Sequence, residues 1–316
     1  MAVEVMIYLV EMYIGLVCYN NTALKTLEKC TDITLLKMCY QSTGTFYSNI
    51  DLDLSKCENL KSILLFHINF GVVKLPKSIE IIGHYVAGNS KLDASACDKL
   101  KTIEYSYNRN LEFLLYTIQG NTELNSIEVG SEPDVKTLLS NIDKIKNCTG
   151  LKSISISQVG WEQNNVQISS LNNIDELSTL ENVSINKISI GNNDFSKLKG
   201  LSNLKNLTIT NTNLNDISFI SGLNKLQTAN LSNNQITRGI YSLSNLNKLE
   251  SLNLSNNTIF DISSNNGTNY NNLEVLSNIN YAKNGSLKAL YLGGNSNITD
   301  WSYVSKCTWP NGKSGF

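Results

Sequence analysis

Histidine is almost absent from this 316-residue chain. The two present, His67 and His84, stand at no metal or triad spacing from a carboxylate or thiol. A glycine-rich phosphate loop, a paired-carboxylate phrase and a Gly-x-Ser-x-Gly elbow are missing as well. The residues therefore organise no reaction centre, and neither catalysis nor a cofactor or metal is expected. Charge is scarce too: 17% of residues are charged, and 26 basic against 27 acidic residues leave a net charge of -1. With no block of Lys or Arg to track phosphates, nucleic acid is not an expected partner. No Lys or Arg precedes Lys25, so the charged start of a signal peptide is lacking. The apolar stretch from Met1 to Tyr19 is interrupted by Glu4 and Glu11, which makes it a poor membrane span, and membrane insertion is not expected. It suits an apolar element closing one end of the fold; the stub of a longer precursor is the alternative. A hydrophobic content of 41% is enough for a large core, so the chain should fold throughout.

What the chain has in abundance is one phrase: apolar, two residues, apolar, one residue, apolar, two residues, Asn. It is plainest at Leu226, Ala229, Leu231, Asn234, and returns at Leu249, Leu252, Leu254, Asn257 and at Leu287, Leu290, Leu292, Asn295. Recurrence near 22 to 23 residues, as from Leu204 to Leu226 and Leu226 to Leu249, marks a leucine-rich-repeat solenoid. Each unit of such a stack is a strand plus a return segment that cannot bury its apolar side alone. The expected fold is an α/β horseshoe with a parallel concave sheet and short helices or turns on the convex side. Residues 1–50 would form a cap with an irregular first repeat, 51–309 about ten repeats, and 310–316 a tail. Strands are indexed from Leu60, Ile79, Leu100, Leu124, Leu151, Ile185, Leu204, Leu226, Leu249 and Leu287.

Side chains alternate along a strand, so the fourth and sixth positions of the phrase point inward and the third, fifth and seventh stand on the sheet. Asn at the ninth position sits at the strand exit, where its amide can serve stranded backbone groups. This accounts for Asn108, Asn193, Asn234, Asn257 and Asn295 without catalysis, while Thr212 replaces one of the series. Three of the seven cysteines, Cys57, Cys97 and Cys148, each open the run Cys, two residues, Leu, Lys, Ser or Thr, Ile. A residue that keeps repeat register serves the repeat, so these are expected as reduced, buried thiols at the corner before each strand.

In the return segments, Asp216, Asp261 and Asp300 recur before Ile-Ser or Trp-Ser and are placed to cap a short turn. Pro133 followed by Val135, Leu138, Leu139, Ile142 and Ile145 predicts an amphipathic helix with proline in its first turn.

The Asp-Ile-Ser turns within 195–309 resemble bacterial leucine-rich repeats of the internalin type. The segments Asp53-Leu-Ser-Lys-Cys-Glu-Asn-Leu-Lys-Ser-Ile63 and Leu75-Pro-Lys-Ser-Ile-Glu-Ile-Ile-Gly83 resemble the related BspA-like repeats. The resemblance implies a non-catalytic binding module at a bacterial surface or secreted, with a protein or glycan ligand. An intracellular scaffold is the alternative, suggested by unpaired cysteines and the lack of a secretion signal.

A binding site would lie on the concave face. Over the later strands that face is small and polar, as at Ser155, Ser157, Ser189, Thr208, Thr210, Asn230, Ser232, Asn253 and Ser255. Toward the N-terminus it carries Leu64, Phe66, Tyr85 and Tyr107, and exposed aromatics anchor interfaces well. Core placement of these rings is the competing reading. Trp161 in the 157–176 connection, and Tyr270 and Tyr281 in the 260–284 insertion, are further candidates, since insertions on a solenoid edge often bind. The Asn-rich stretch 264–272 is otherwise expected as an excursion of the chain.

Overall fold

The computed structural model describes residues 3–9, 25–40, 46–47, 50–158, 165–191, 194–283 and 285–316. The chain divides into two compact units, Met1–Leu151 and Lys152–Phe316. In the first, six parallel strands lie side by side in chain order: β1 (Val3–Leu9), β2 (Ile33–Tyr40), β3 (Ser62–Phe66), β4 (Ile81–Gly88), β5 (Thr102–Asn108) and β6 (Ser126–Val129). The second does the same with β7 (Ser153–Ser157), β8 (Asn182–Asn186), β9 (Asn206–Thr210), β10 (Thr228–Asn230), β11 (Ser251–Asn253), β12 (Ala289–Tyr291) and β13 (Gly312–Ser314). Each strand is followed by a return segment that brings the chain back to start the next one alongside, which is why every pairing in these sheets is parallel. This is a leucine-rich-repeat stack. The last strand occupies residues 312–314, where a tail was expected.

The phrase sets the register. Strands begin two residues after Leu60, Ile79, Leu100, Leu124, Leu151, Leu204, Leu226, Leu249 and Leu287, and all of these index residues are buried. One index is wrong: β8 starts two residues after Leu180, and Ile185 is its sixth position. The error has a cause in the sequence, because Ile185, Ile188, Ile190 and Asn193 reproduce the phrase spacing as well as Leu180, Val183 and Ile185 do. Pairing with β7 decides between them, and Ile188–Ile190 instead pairs with Val166–Ile168 in a separate two-stranded sheet. Ser189 therefore leaves the main sheet face, which Asn182, Ser184 and Asn186 occupy in that repeat. Asn193 lies outside the described residues.

Corners repeat as faithfully as strands. Cys57, Cys97 and Cys148 are buried, and each thiol points at a carbonyl of the preceding repeat: Leu27 O at 3.5 Å, Pro76 O at 3.2 Å and Ile118 O at 3.6 Å. Burial raises all three thiol pKa values, that of Cys97 to about 12, so they are inert thiols. In the second unit Leu177, Leu201, Leu223 and Leu246 hold the same hydrogen-bonded corner, which confirms that the cysteine is a small apolar filler. Among the described residues, Cys30, Cys57, Cys97, Cys148 and Cys307 are free.

The eighth position is left-handed in many of the repeats, although Ser131 in the Leu124 repeat is extended. His67, Tyr107, Lys187, Asn211, Asn233 and Asn256 have φ between 54° and 58°, and Gly294 has 80°. Asn and Gly tolerate that conformation; His, Tyr and Lys are held there against their preference. The ninth-position asparagines then close the turn. Asn234 Nδ2 donates to Ile209 O, Leu231 O and Ser232 O, while its Oδ1 accepts from the Thr212 amide at 2.9 Å and hydroxyl at 2.7 Å. Asn257 and Asn295 act alike, accepting from Ile236 N and Ile259 N. For Asn108 only the backbone is described.

Return segments differ between the units. The first has helices α1 (Leu111–Thr117), α2 (Glu132–Ser140) and α3 (Ile142–Ile145), with Pro133 in the first turn of α2 and Val135, Leu138, Leu139, Ile142 and Ile145 buried. The second has mainly single 3-10 turns at 196–200, 218–222 and 240–245. Asp216 and Asp300 accept from the backbone amides of Ser218 and Ser302, as do Asp53, Asp93 and Asp194 from the serine two residues on. Asp261 does not cap its own turn. It accepts from Thr299 N and Oγ1 in the next repeat, because the chain after it enters a hairpin.

Candidate interaction surface

On β2 to β6 the outward side chains form three rows running across the strands. Leu35, Ser62, Ile81, Thr102 and Ser126 share the first; Lys37, Leu64, Gly83, Glu104 and Glu128 share the second; Phe66, Tyr85 and Ser106 share the third. Leu64 and Phe66 on β3 and Tyr85 on β4 thus come together in one patch, with Ile81, 37% exposed, beside them. Phe66 and Tyr85 stack with centroids 4.7 Å apart and planes 13° from parallel. Gly83 makes the patch possible, since a Cβ there would lie 2.6 Å from Leu64 Cδ2 and 2.8 Å from Tyr85 Cε2. The absent side chain lets both neighbours lean over the strand.

Polar groups flank the rings. Lys37 Nζ sits 5.6 Å from the Phe66 centroid, within cation–π range. The Tyr85 hydroxyl donates to the Glu104 carboxylate, and burial together with that carboxylate pushes the Tyr85 pKa upward. Glu128 stands directly opposite Glu104 on the next strand. Partial burial and the neighbouring Glu104 charge raise the Glu128 carboxyl above its ordinary value.

Tyr107 does not belong to this patch. It occupies the eighth position, not an outward one, and its left-handed backbone donates its amide to Ser131 Oγ at 3.0 Å; its side chain is half-buried. Trp161 lies outside the described residues. Tyr270 sits on a hairpin of Ile262–Asn265 with Thr268–Asn271, 5.4 Å from the ring of Tyr241, and Tyr281 lies in the turn Tyr281–Lys283. Tyr241, Phe260 and Ile262 are also exposed, at 47%, 47% and 54%. The hairpin replaces the expected excursion, and its signal was in the sequence: Asn266-Gly267, with φ of 50° and 80°, is the residue pair that a two-residue turn favours. Sequence reasoning also missed Lys37, Ile81, Glu104 and Glu128, although the third and fifth positions of the phrase point to all but Lys37, whose strand had not been indexed.

The corresponding face of the second unit is occupied with itself. Asn206 Nδ2 donates to Asn182 Oδ1 at 2.7 Å, Thr228 Oγ1 to Asn206 Oδ1 at 2.7 Å, and Thr210 Oγ1 to Asn186 Oδ1 at 3.1 Å. Asn230 and Asn253 turn their Oδ1 atoms onto the amides of Ser232 and Ser255. On the opposite side of that unit a depression of about 480 Å³ is lined by Asp194, Phe195, Asp216, Phe219 and Arg238, but its two carboxylates serve the turns described above.

The histidines are structural. His67 is half-buried at a left-handed strand exit, its amide bonded to Tyr85 O at 3.2 Å. His84 is fully buried with Nδ1 3.3 Å from the Tyr105 hydroxyl, and burial lowers its pKa to about 4, so it is neutral at pH 7. Among the described residues, no group of three or more His, Cys, Asp or Glu is arranged to hold a metal, and no helix is long and apolar enough to cross a membrane.

No protein-family model and no curated protein matches the chain. Solved structures do. An internalin, InlF, from Listeria monocytogenes is 20% identical, with 92% of this chain and 89% of that one covered and a TM-score of 0.48. A leucine-rich-repeat protein from Leptospira interrogans is 14% identical over 92% of this chain and 80% of its own, with a TM-score of 0.44. Internalin C2 from Listeria monocytogenes is 25% identical over 54% of this chain and 67% of its own, at 0.42. The chain is similar to bacterial internalin-like repeat proteins. Its repeat architecture stands on the strand register and corner bonds already described.

Proposed function

We propose that this chain is a non-catalytic protein-binding scaffold of a bacterial surface or secreted protein, and that it engages its partner through the outward sheet face of the first unit. The observation that carries this reading is the contrast between the two faces. Over β8 to β11 the second unit lines its sheet with amides and hydroxyls, several bonded to one another, with a ring at Tyr291 on β12, whereas the first groups Leu64, Phe66, Ile81 and Tyr85. Rings on a rigid sheet bury much area at small entropic cost and make effective anchors. A protein ligand fits better than a glycan, since a sugar stacks on an open ring face. Phe66 has Tyr85 against it from β4 and Lys37 over it from β2, so the patch offers ring edges. Lysines do not favour nucleic acid either, because Lys61 and Lys101 flank Glu80, and Lys152 and Lys205 flank Glu181.

The double variant Phe66→Ser, Tyr85→Ser should keep its circular dichroism spectrum and lose retention by host-surface proteins, while Ser255→Ala should not. A variant that keeps full retention would move the site to the hairpin around Tyr270. The free thiols favour one further reading, an intracellular scaffold. Fractionation of the producing cell decides between them: recovery in the cytoplasm would refute the surface assignment.

A further inference from the structure

We infer that the partner segment seated on this face is itself bipolar: an apolar stretch with a basic group at one end, lodged against Glu104 and Glu128, and an acidic group at the other, against Lys37. The inference rests on the proposed binding face and adds the chemistry of what it takes. Along the fifth-position row the charges are segregated, with Lys37 on β2, Leu64 on β3, Gly83 on β4, Glu104 on β5 and Glu128 on β6. Four strand spacings of about 4.8 Å separate the ends, so the row spans about 19 Å. An extended segment of about six residues covers that length.

Two further features support the polarity. Glu104 and Glu128 face each other in register, a like-charge pairing that costs stability unless a cation sits nearby. The Glu128 carboxyl is held above its ordinary pKa by partial burial and by Glu104, so a basic group there would relieve a repulsion already present. Elsewhere in the chain, Glu80 and Glu181 each have lysines beside them, at 2.7 Å from Lys101 and 2.6 Å from Lys205. The tyrosine hydroxyl that donates to Glu104 holds that carboxylate at the rim of the ring patch, so the charge adjoins the apolar ridge.

The test uses the full chain and four synthetic peptides of about six residues sharing a Leu-Phe centre: one acidic at one end and basic at the other, one with glutamines at both ends, one acidic at both and one basic at both. Binding is read by fluorescence anisotropy at low and at high salt. The bipolar peptide is expected to bind at least about tenfold more tightly than the neutral one, a gap of about 1.4 kcal/mol, and the gap should shrink as salt screens it. Glu104→Gln with Glu128→Gln keeps an acceptor for the Tyr85 hydroxyl and should abolish the gap without weakening the neutral peptide. Lys37→Glu should shift the preference to a peptide basic at both ends. If the carboxamide variant leaves the ranking unchanged while Phe66→Ser with Tyr85→Ser removes all binding, the face is right and the polarity is overturned. Binding that ignores the Phe66 and Tyr85 changes would instead refute the face itself.

Discussion

The two units share a frame and differ in what they hang on it. Both bury the first, fourth and sixth positions, with apolar residues at nearly all of them and His84 at one sixth position, and both have repeats that turn left-handed at the eighth. At the corner the first unit uses Cys57, Cys97 and Cys148 alongside Pro76 and Asn121, where the second uses leucine. At the strand exit the second has Asn211, Asn233 and Asn256 followed by Thr212, Asn234 and Asn257, and Lys187 followed by buried Ile188, whereas the first has His67 followed by buried Ile68 and Tyr107 followed by Asn108. On the sheet face the second satisfies its polar groups internally, and the first exposes rings and unlike charges. The lesson is that burial constrains the inward positions alike in every repeat, because each must fit its neighbours at close-packed density. Outward positions carry no such demand, so their divergence is where function has room to act.

The shared frame can be broken most severely at an inward position. Ile103→Ala in the first unit and Leu252→Ala in the second should each cost about 2 to 5 kcal/mol, since both are fully buried strand residues flanked by neighbouring repeats. Chemical denaturation followed by tryptophan fluorescence isolates the second unit, because Trp161, Trp301 and Trp309 all fall there, while circular dichroism reports both. A large loss in one unit and a negligible one in the other would end the claim of a common frame.

Acid should separate the units next. His84 has its pKa lowered from 6.5 to about 4 by burial, so the unfolded chain takes up a proton that the folded chain refuses. Stability from this residue is complete above about pH 6.5 and drains away as pH falls toward about 4, by about 3 kcal/mol in all. A titration in which circular dichroism loses amplitude before tryptophan fluorescence would follow. Simultaneous loss, or no change on His84→Gln, would contradict it.

Within the second unit, Asn234→Ala should cost about 1 to 3 kcal/mol, because it strands the carbonyls of Ile209 and Leu231 and the amide of Thr212 in a buried turn. Outward Asn253→Ala should stay within about 0.5 kcal/mol. Equal effects would show that the amide ladder and the sheet face are energetically alike. The smallest change runs the other way: Lys187→Asn should stabilise by up to about 1 kcal/mol in thermal melts, as it installs at φ 55° the residue that the next three repeats already use.

Much of this was legible from residue spacing. Leu226, Ala229, Leu231 and Asn234 announce strand, burial and turn together, since a strand has only two faces and the phrase marks one of them. Legibility failed where two registers fit the same spacing, as at Leu180 and Ile185, and where the phrase was absent, as at Ile33–Tyr40 and Gly312–Ser314. The candidate surface was half legible. Leu64, Phe66 and Tyr85 follow from the phrase, but Tyr107 was assigned outward although its place is the eighth, where the chain turns and the amide is taken by Ser131.

By itself the sequence determined the repeat, its inward residues, the role of its corner cysteines and the helix at Pro133, because each depends on positions a few residues apart along one strand or turn. Only the tertiary structure decided which residues become neighbours across strands. Phe66 meets Tyr85 nineteen residues on, and Lys37, Gly83 and Glu128 enter one row, through return segments of unequal length whose pairing register is set by packing against the adjacent repeat.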